Sequence, residues 1–122
     1  MCDTTDKAFD ATKFDLTGPW AGDDGGIYYL RQLDSFLWWS GMSGRAGTPE
    51  RLGLEWSNVA RGVIKGVSVD VDWADIPRGG IRDGGNMTLS IEDDGTGNAR
   101  IVKVSEQSGD FGNKTWTPCK AG

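Results

Sequence analysis

Apolar and polar residues alternate along residues 54–75 about a single break at Lys65-Gly66. Folded back on that break, one face carries Trp56, Asn58, Ala60, Gly62, Ile64, Val67, Val69, Val71, Trp73 and Asp75. The other carries Glu55, Ser57, Val59, Arg61, Val63, Ser68, Asp70, Asp72 and Ala74. Side chains alternate across a strand, so the segment reads as a hairpin with one apolar and one wet face. The apolar face turns polar and aromatic only at the end far from the break. That is the pattern of a half-open cup with a mouth at that end.

The same periodicity predicts strands over Thr17–Gly22, Ile27–Leu33, Phe36–Met42, Leu52–Ile64, Val67–Ala74, Asn86–Glu92, Ala99–Ser105 and Phe111–Thr117. Asp23-Asp24-Gly25-Gly26 and Asp34-Ser35 have the residues of tight turns. Residues 1–14 read as a flexible lead with one helical turn around Asp6–Thr12, residues 15–118 as one barrel domain, and residues 119–122 as a tail. Eight strands with mostly short connections predict an all-β fold, an eight-stranded antiparallel up-and-down barrel that closes its own edges. A β-sandwich is the alternative. The interior of such a barrel is plugged by side chains or holds one small ligand.

The connections sort by end. The 34–35, 65–66 and 93–98 turns fall at one end, and the 22–26, 43–51, 76–85 and 106–110 connections at the other. The longest loops share the second end with Trp56, Asn58, Trp73 and Asp75, and long loops at one end usually mark the functional end.

Composition narrows the chemistry. The chain has 122 residues, 19 Gly and four Pro, which suits one domain of short strands and tight turns. The net charge of −5 argues against nucleic acid and anionic membrane as main partners. No apolar run approaches the roughly 20 residues that span a bilayer, and no signal peptide is evident, so a cytoplasmic site is expected unless a signal was removed from a secreted or periplasmic protein. The absence of His nearly excludes a structural zinc site and His-based triads. No metal and no cofactor is expected. Cys2 and Cys119 lie at opposite ends. Pairing of the first and last strands could bring them together, but free thiols in loose ends are the expectation.

The second hairpin, about Asp34-Ser35, pairs Tyr29 with Ser40 and Arg31 with Trp38. One face carries Ile27, Tyr29, Leu33, Phe36, Trp38 and Met42; the other carries Tyr28, Leu30, Gln32, Leu37, Trp39 and Gly41. Both are rich in large apolar groups. The Tyr29 face is taken as the inner one, since Tyr and Ser near the mouth suit a ligand. Arg31 would then sit deep and cap the barrel floor. The opposite face would leave an apolar patch outside, which predicts a homo-oligomer unless Phe9 and Phe14 cover it.

Asp23, Asp24 and Asp75 could converge at the mouth, with Arg78 nearby, and two carboxylates at different pKa values can act as acid and base. Asp23 and Asp24 are equally ordinary turn formers. Asp93–Asn98 lacks the ligand spacing and closing Glu of a calcium loop and reads as a solvated turn. Of the six Trp, Trp20 and Trp116 suit the core, and Trp56 and Trp73 suit stacking on a ligand.

Leu16-Thr17-Gly18-Pro19-Trp20, followed by a Gly-rich turn and an aromatic strand, resembles the calycins, the lipocalins and avidins, whose first strand carries Gly-x-Trp. The stretches from Trp20 to Gln32, Trp38 to Ser43, Trp56 to Gly62 and Trp73 to Gly79 look like a group of uncharacterised, mainly bacterial small proteins. The resemblance spans roughly residues 16–117 and implies a calycin-like barrel, with Trp20 plugging the closed end. Avidins place an Asn and then a Ser against biotin after that Trp. Gly22 and Gly26 stand at about those places here, so biotin is not expected.

The function these readings favour is non-enzymatic binding of a small organic ligand, cationic or sugar-like, in the barrel mouth. Its site would comprise Asp23, Asp24, Tyr29, Ser40, Trp56, Asn58, Trp73 and Asp75, with Ser43–Arg51 as a lid. No catalytic residue is assigned. The rival readings are a His-free isomerase or hydrolase using Asp75 with Asp23 or Asp24, and a filled barrel that works through protein contacts.

Overall fold

The computed structural model describes residues 2–44 and 48–121. Its strands are β1 (Gly18–Gly22), β2 (Ile27–Leu33), β3 (Phe36–Met42), β4 (Ser57–Lys65), β5 (Ser68–Asp75), β6 (Gly84–Asp93), β7 (Ala99–Ser108) and β8 (Thr115–Pro118). Each pairs with the next in antiparallel sense, and β8 returns to β1 to close the barrel. Closure is short: Trp20, Ala21 and Gly22 lie against Pro118, Thr117 and Trp116. β7 contacts β8 through Ile101 and Val102, and ring closure leaves each strand with a neighbour on both sides.

Several boundaries differ from expectation. Leu52–Trp56 belongs to the long β3–β4 connection, which contains a 3-10 turn at Pro49–Arg51. Pro49 cannot donate to a ladder, and Gly53 sits at positive φ, so the chain enters β4 only at Ser57. Phe111–Lys114 is likewise connection rather than strand. The tight turn of the β4–β5 hairpin is Gly66-Val67, one residue later than the periodicity suggested, with Lys65 opposite Ser68. The segment Asp6–Thr12 is not helical. Ala8 bridges Asn98, Phe9 N–H donates to Gly97 O at 2.9 Å, and one turn follows at Asp10–Lys13.

The inward face of β4–β5 is the one expected: Asn58, Ala60, Gly62, Val69, Val71 and Trp73 are buried. The second hairpin is the reverse of expectation. Tyr28, Leu30, Leu37, Trp39 and Gly41 point inward, while Tyr29, Trp38 and Ser40 are exposed outside. Arg31 is on the outer wall rather than under the floor. Tyr28 is fully buried and Trp39 5% exposed, against 47% for Tyr29 and 45% for Trp38. The reason is volume. Large inward rings need small neighbours: Tyr28 lies opposite Gly41 and close against Gly22, Trp39 lies opposite Ala60, and Leu37 opposite Gly62.

The interior is filled below the mouth. Trp20, Tyr28, Trp39, Trp73, Phe111 and Trp116 pack with Leu, Ile, Val and Met side chains in one cluster. Trp20 Nε1 donates to Leu16 O at 2.9 Å. That bond directs the indole to the closed end, where Phe9 and Phe14 join the cluster. These two rings therefore cover the floor and not the outer hairpin face.

Cys2 and Cys119 form a disulfide, contrary to the expectation of free thiols. Backbone bonds from Thr5 N to Pro118 O and from Lys120 N to Asp3 O align the two ends beside it. Among the described residues, no helix is long and apolar enough to cross a membrane.

Candidate functional site

The four connections at the far end of the barrel surround a cup of about 360 Å³. It is lined by Tyr28, Asn58, Trp73 and Asp75 from the strands, and by Asp24, Trp56, Ile81, Asp83, Asp110, Phe111 and Gly112 from the connections. That volume lies within the range for small-molecule sites, about 300–1,000 Å³.

The floor is aromatic. The Tyr28 ring lies 5.8 Å from both Trp39 and Trp56 and 6.2 Å from Phe111. Phe111 meets Trp73 edge-on at 4.8 Å. These spacings are those of favourable aromatic pairs. Glycines let the rings settle. A Cβ on Gly41 would lie 2.5 Å from the Tyr28 ring and 2.7 Å from Asn58 Oδ1. One on Gly22 would strike Asn113, Asp24 and Tyr28, and one on Gly26 would strike Trp56. Gly22 and Gly26 thus leave room for the rings and rim of this cup.

A buried polar chain runs up one wall. Trp39 Nε1 donates to Asn58 Oδ1 at 2.9 Å. The Tyr28 hydroxyl donates to Asp24 Oδ2 at 2.6 Å. Asp24 Oδ1 accepts from Gly26 N, and Asp24 N donates to Asn113 Oδ1, each at 2.9 Å. Asn113 is fully buried and donates onward to Thr115 O. Although Asp24 as a residue is exposed, its carboxylate is engaged on both oxygens.

The rim is acidic. Asp75 Oδ2 accepts from Asp83 N at 2.8 Å, and Asp83 Oδ2 accepts from Asp110 N at 2.9 Å. The β5–β6 and β7–β8 connections are tied together this way. Burial pushes the Asp24 carboxyl above its ordinary range, against the opposing bond from Tyr28. Burial also raises Asp75, with the Asp83 charge adding to it and the Asp83 N–H opposing it. Burial and the adjacent Asp24 charge raise the Tyr28 hydroxyl, so it remains a proton donor. No Lys or Arg lines the cup. Lys103 is held by Glu106 at 2.9 Å, and Arg78 donates to the carbonyls of Glu50 and Leu52.

Five of the expected site residues, Asp24, Trp56, Asn58, Trp73 and Asp75, share this cup. Tyr29 and Ser40 are outside the barrel, which corrects their expected inward placement. Asp23 is at the same end, but its Oδ1 accepts from Lys114 N at 2.9 Å and staples the β1–β2 turn to the β7–β8 connection. Tyr28, Ile81, Asp83, Asp110 and Phe111 were missed. The Gly41 opposite Tyr28 was the signal for Tyr28; Asp83 and Asp110 lie in irregular connections and carried no periodic signal.

Of the expected lid, Ser43–Arg51, residues 45–47 lie outside the described residues. Ser43 is buried, and its hydroxyl accepts from Glu55 N and Trp56 N at 3.1 and 3.2 Å. That contact orders the approach to Trp56. The Asp93–Asn98 turn is exposed apart from Asn98. Its carboxylates accept from the amides of Gly95, Thr96 and Gly97, as expected of a solvated turn. Among the described residues, no cluster of three or more acidic or Cys side chains could hold a metal ion.

No family model, no curated protein and no solved structure matches this chain. The fold and the cup define its class: a closed eight-stranded antiparallel barrel with an acidic, aromatic-floored mouth, compatible with a calycin-like fold.

Proposed function

We propose that the cup binds a small organic cation and does not transform it. The observation that carries this reading is the lining itself: four carboxylates and no basic side chain, set over aromatic rings. Rings attract a cation through their π faces, worth roughly 0.5–2 kcal/mol each depending on desolvation. Carboxylates with no bound counter-charge add electrostatic attraction and orientation. The filled interior leaves the mouth as the place for the ligand and limits its size. The barrel and the Gly18-Pro19-Trp20 start of β1 also support calycin-type kinship. The Cys2–Cys119 disulfide supports an oxidising compartment rather than the cytoplasm, where such bonds are rare.

The test is a pair of isosteres, choline and its neutral analogue 3,3-dimethylbutanol, followed by Trp fluorescence and thermal shift. Ligand that binds only the native state raises the melting temperature by mass action. A response to choline or tetramethylammonium, absent with the neutral analogue and lost in Trp56→Ala but kept in Trp38→Ala, supports the reading. An equal response to both isosteres, or to neutral sugars alone, overturns the cationic class. No response in any set turns attention to the filled barrel as a protein-contact module.

One observation favours a second reading. Asp24 and Asp75 line one cavity, and burial raises both. Perturbed carboxylates in a cleft suit acid–base chemistry. Turnover of a bound compound that is abolished in Asp75→Asn would establish an isomerase or hydrolase.

A further inference from the structure

The outer wall over β2–β5 carries a groove of about 530 Å³ that is separate from the cup. Its side chains follow from the strand register. One lateral row across β2, β3, β4 and β5 reads Arg31, Trp38, Arg61, Asp72. The row toward the mouth reads Tyr29, Ser40, Val59, Ala74, and the row toward the closed end reads Leu33, Phe36, Val63, Asp70. Tyr29, Leu33, Phe36, Trp38 and Val59 are all exposed large apolar groups. Singly such residues are ordinary; contiguous on one wall they mark a contact surface.

The wall is asymmetric in charge. Its cations stand on β2 and β4, and its carboxylates on β5. The Arg61 guanidinium lies 4.8 Å from the Phe36 ring centre and 5.6 Å from that of Trp38. Among the described residues the ion pairs are Glu92–Arg100 and Lys103–Glu106, so Arg31, Arg61, Asp70 and Asp72 take no part in one.

We propose that this wall is a two-fold interface between two copies of the chain. A rotation axis parallel to the strands, over the seam between β3 and β4, brings β2 of one copy opposite β5 of the other. It brings β3 opposite β4 as well. The rows are preserved by that operation. Arg31 then faces the second copy's Asp72, and Trp38 faces its Arg61. Leu33 lies over Asp70, whose carboxylate is held aside by Thr88 Oγ1 at 3.1 Å, and Phe36 faces Val63. Bulky Tyr29 enters beside small Ala74, and Ser40 meets Val59. Opposite charges and unequal volumes meet across the same axis, as a closed isologous dimer requires. The complementarity is of the wall with itself, which is why a second copy is the occupant.

Sedimentation velocity over about 1–100 μM tests this, because it spans the range of ordinary dimer affinities. Wild type is expected to dimerise. Arg31→Glu and Asp72→Lys should each weaken the dimer about ten-fold or more, and the double variant should restore it. Ser40→Arg provides an independent disruption at the rim of the groove. Far-UV circular dichroism confirms that each variant is folded. Wild type that stays monomeric at the top of the range overturns the proposal and leaves the wall to a different partner. A dimer indifferent to Arg31→Glu, Asp72→Lys and Ser40→Arg, or a double variant that fails to recover, overturns it as well.

Discussion

The Tyr28 hydroxyl donates to Asp24 Oδ2 at 2.6 Å, joining a fully buried ring of the cup floor to a carboxylate of its rim. The bond links β2 to the turn that precedes it. Its strength comes from the ionised acceptor, since hydrogen bonds to charged groups contribute about 1.5–3 kcal/mol. Tyr28→Phe should destabilise the barrel by about that much at neutral pH in urea titrations. The ring packing is unchanged by the substitution, so near-UV circular dichroism should retain the aromatic signature. An unchanged unfolding midpoint would show that the bond adds nothing to stability.

Asp75 sets a pH dependence whose sign is fixed by its environment. Burial and the Asp83 charge hold its folded pKa above the unfolded value. Its contribution to stability is therefore fully present below the unfolded pKa, about 3.9, and is lost as pH rises through the folded value. Asp75→Asn removes that titration while keeping an acceptor for Asp83 N. The melting temperature of Asp75→Asn relative to wild type should be highest near neutrality and should fall on acidification toward pH 4. A difference that grows on acidification contradicts the burial argument.

Ligand binding should run the opposite way. A cation prefers the ionised cup, and Asp24 and Asp75 are both raised. Affinity for tetramethylammonium should fall on acidification, beginning at a pH above that at which an ordinary Asp protonates. Calorimetric titration at several pH values checks it. An affinity independent of pH down to about 4 removes these two carboxylates from the site.

Gly41 is required by close approach rather than by backbone conformation. A Cβ there would meet the Tyr28 ring at 2.5 Å. Gly41→Ala should cost about 1–3 kcal/mol through overpacking. Gly80 has nothing within 4 Å of its Cβ position and no positive φ, so Gly80→Ala should change stability by less than about 1 kcal/mol. Parallel denaturant titrations compare the two.

The Cys2–Cys119 disulfide joins residues 117 apart in sequence. Closing so long a loop restricts the unfolded chain, and removal of such a bond typically costs about 2–5 kcal/mol. Reduction, or Cys2→Ser with Cys119→Ser, should lower stability within that range. The barrel should keep its strand signal, because β1 and β8 pair independently of the bridge.

The β4–β5 hairpin was legible because one of its faces is plainly wet: Glu55, Arg61, Asp70 and Asp72 cannot all be buried. Its inward residues, and the mouth at its far end, followed from that. The β2–β3 hairpin was not legible in the same way. Tyr28 and Trp39 on one face are as apolar as Tyr29 and Trp38 on the other. Period-two alternation fixes which residues share a face, but not which face is inside. Only the fit of Tyr28 against Gly41 and Gly22, made across three strands, settles it. Asp83 and Asp110 were illegible for a related reason. They sit in irregular connections with no period, and a hydrogen bond between residues 27 apart in sequence draws them to one rim.

The sequence by itself determined the all-β class, the number and order of the strands, and which connections cluster at the mouth. Those are local properties, carried by alternation and by turn residues such as Asp34 and Gly66, both at positive φ. The tertiary structure decided which wall of the second hairpin faces out and which carboxylates share the cup. It also decided whether the chain ends meet. Each depends on volume or proximity across strands distant in sequence, and no periodicity in a single strand encodes that.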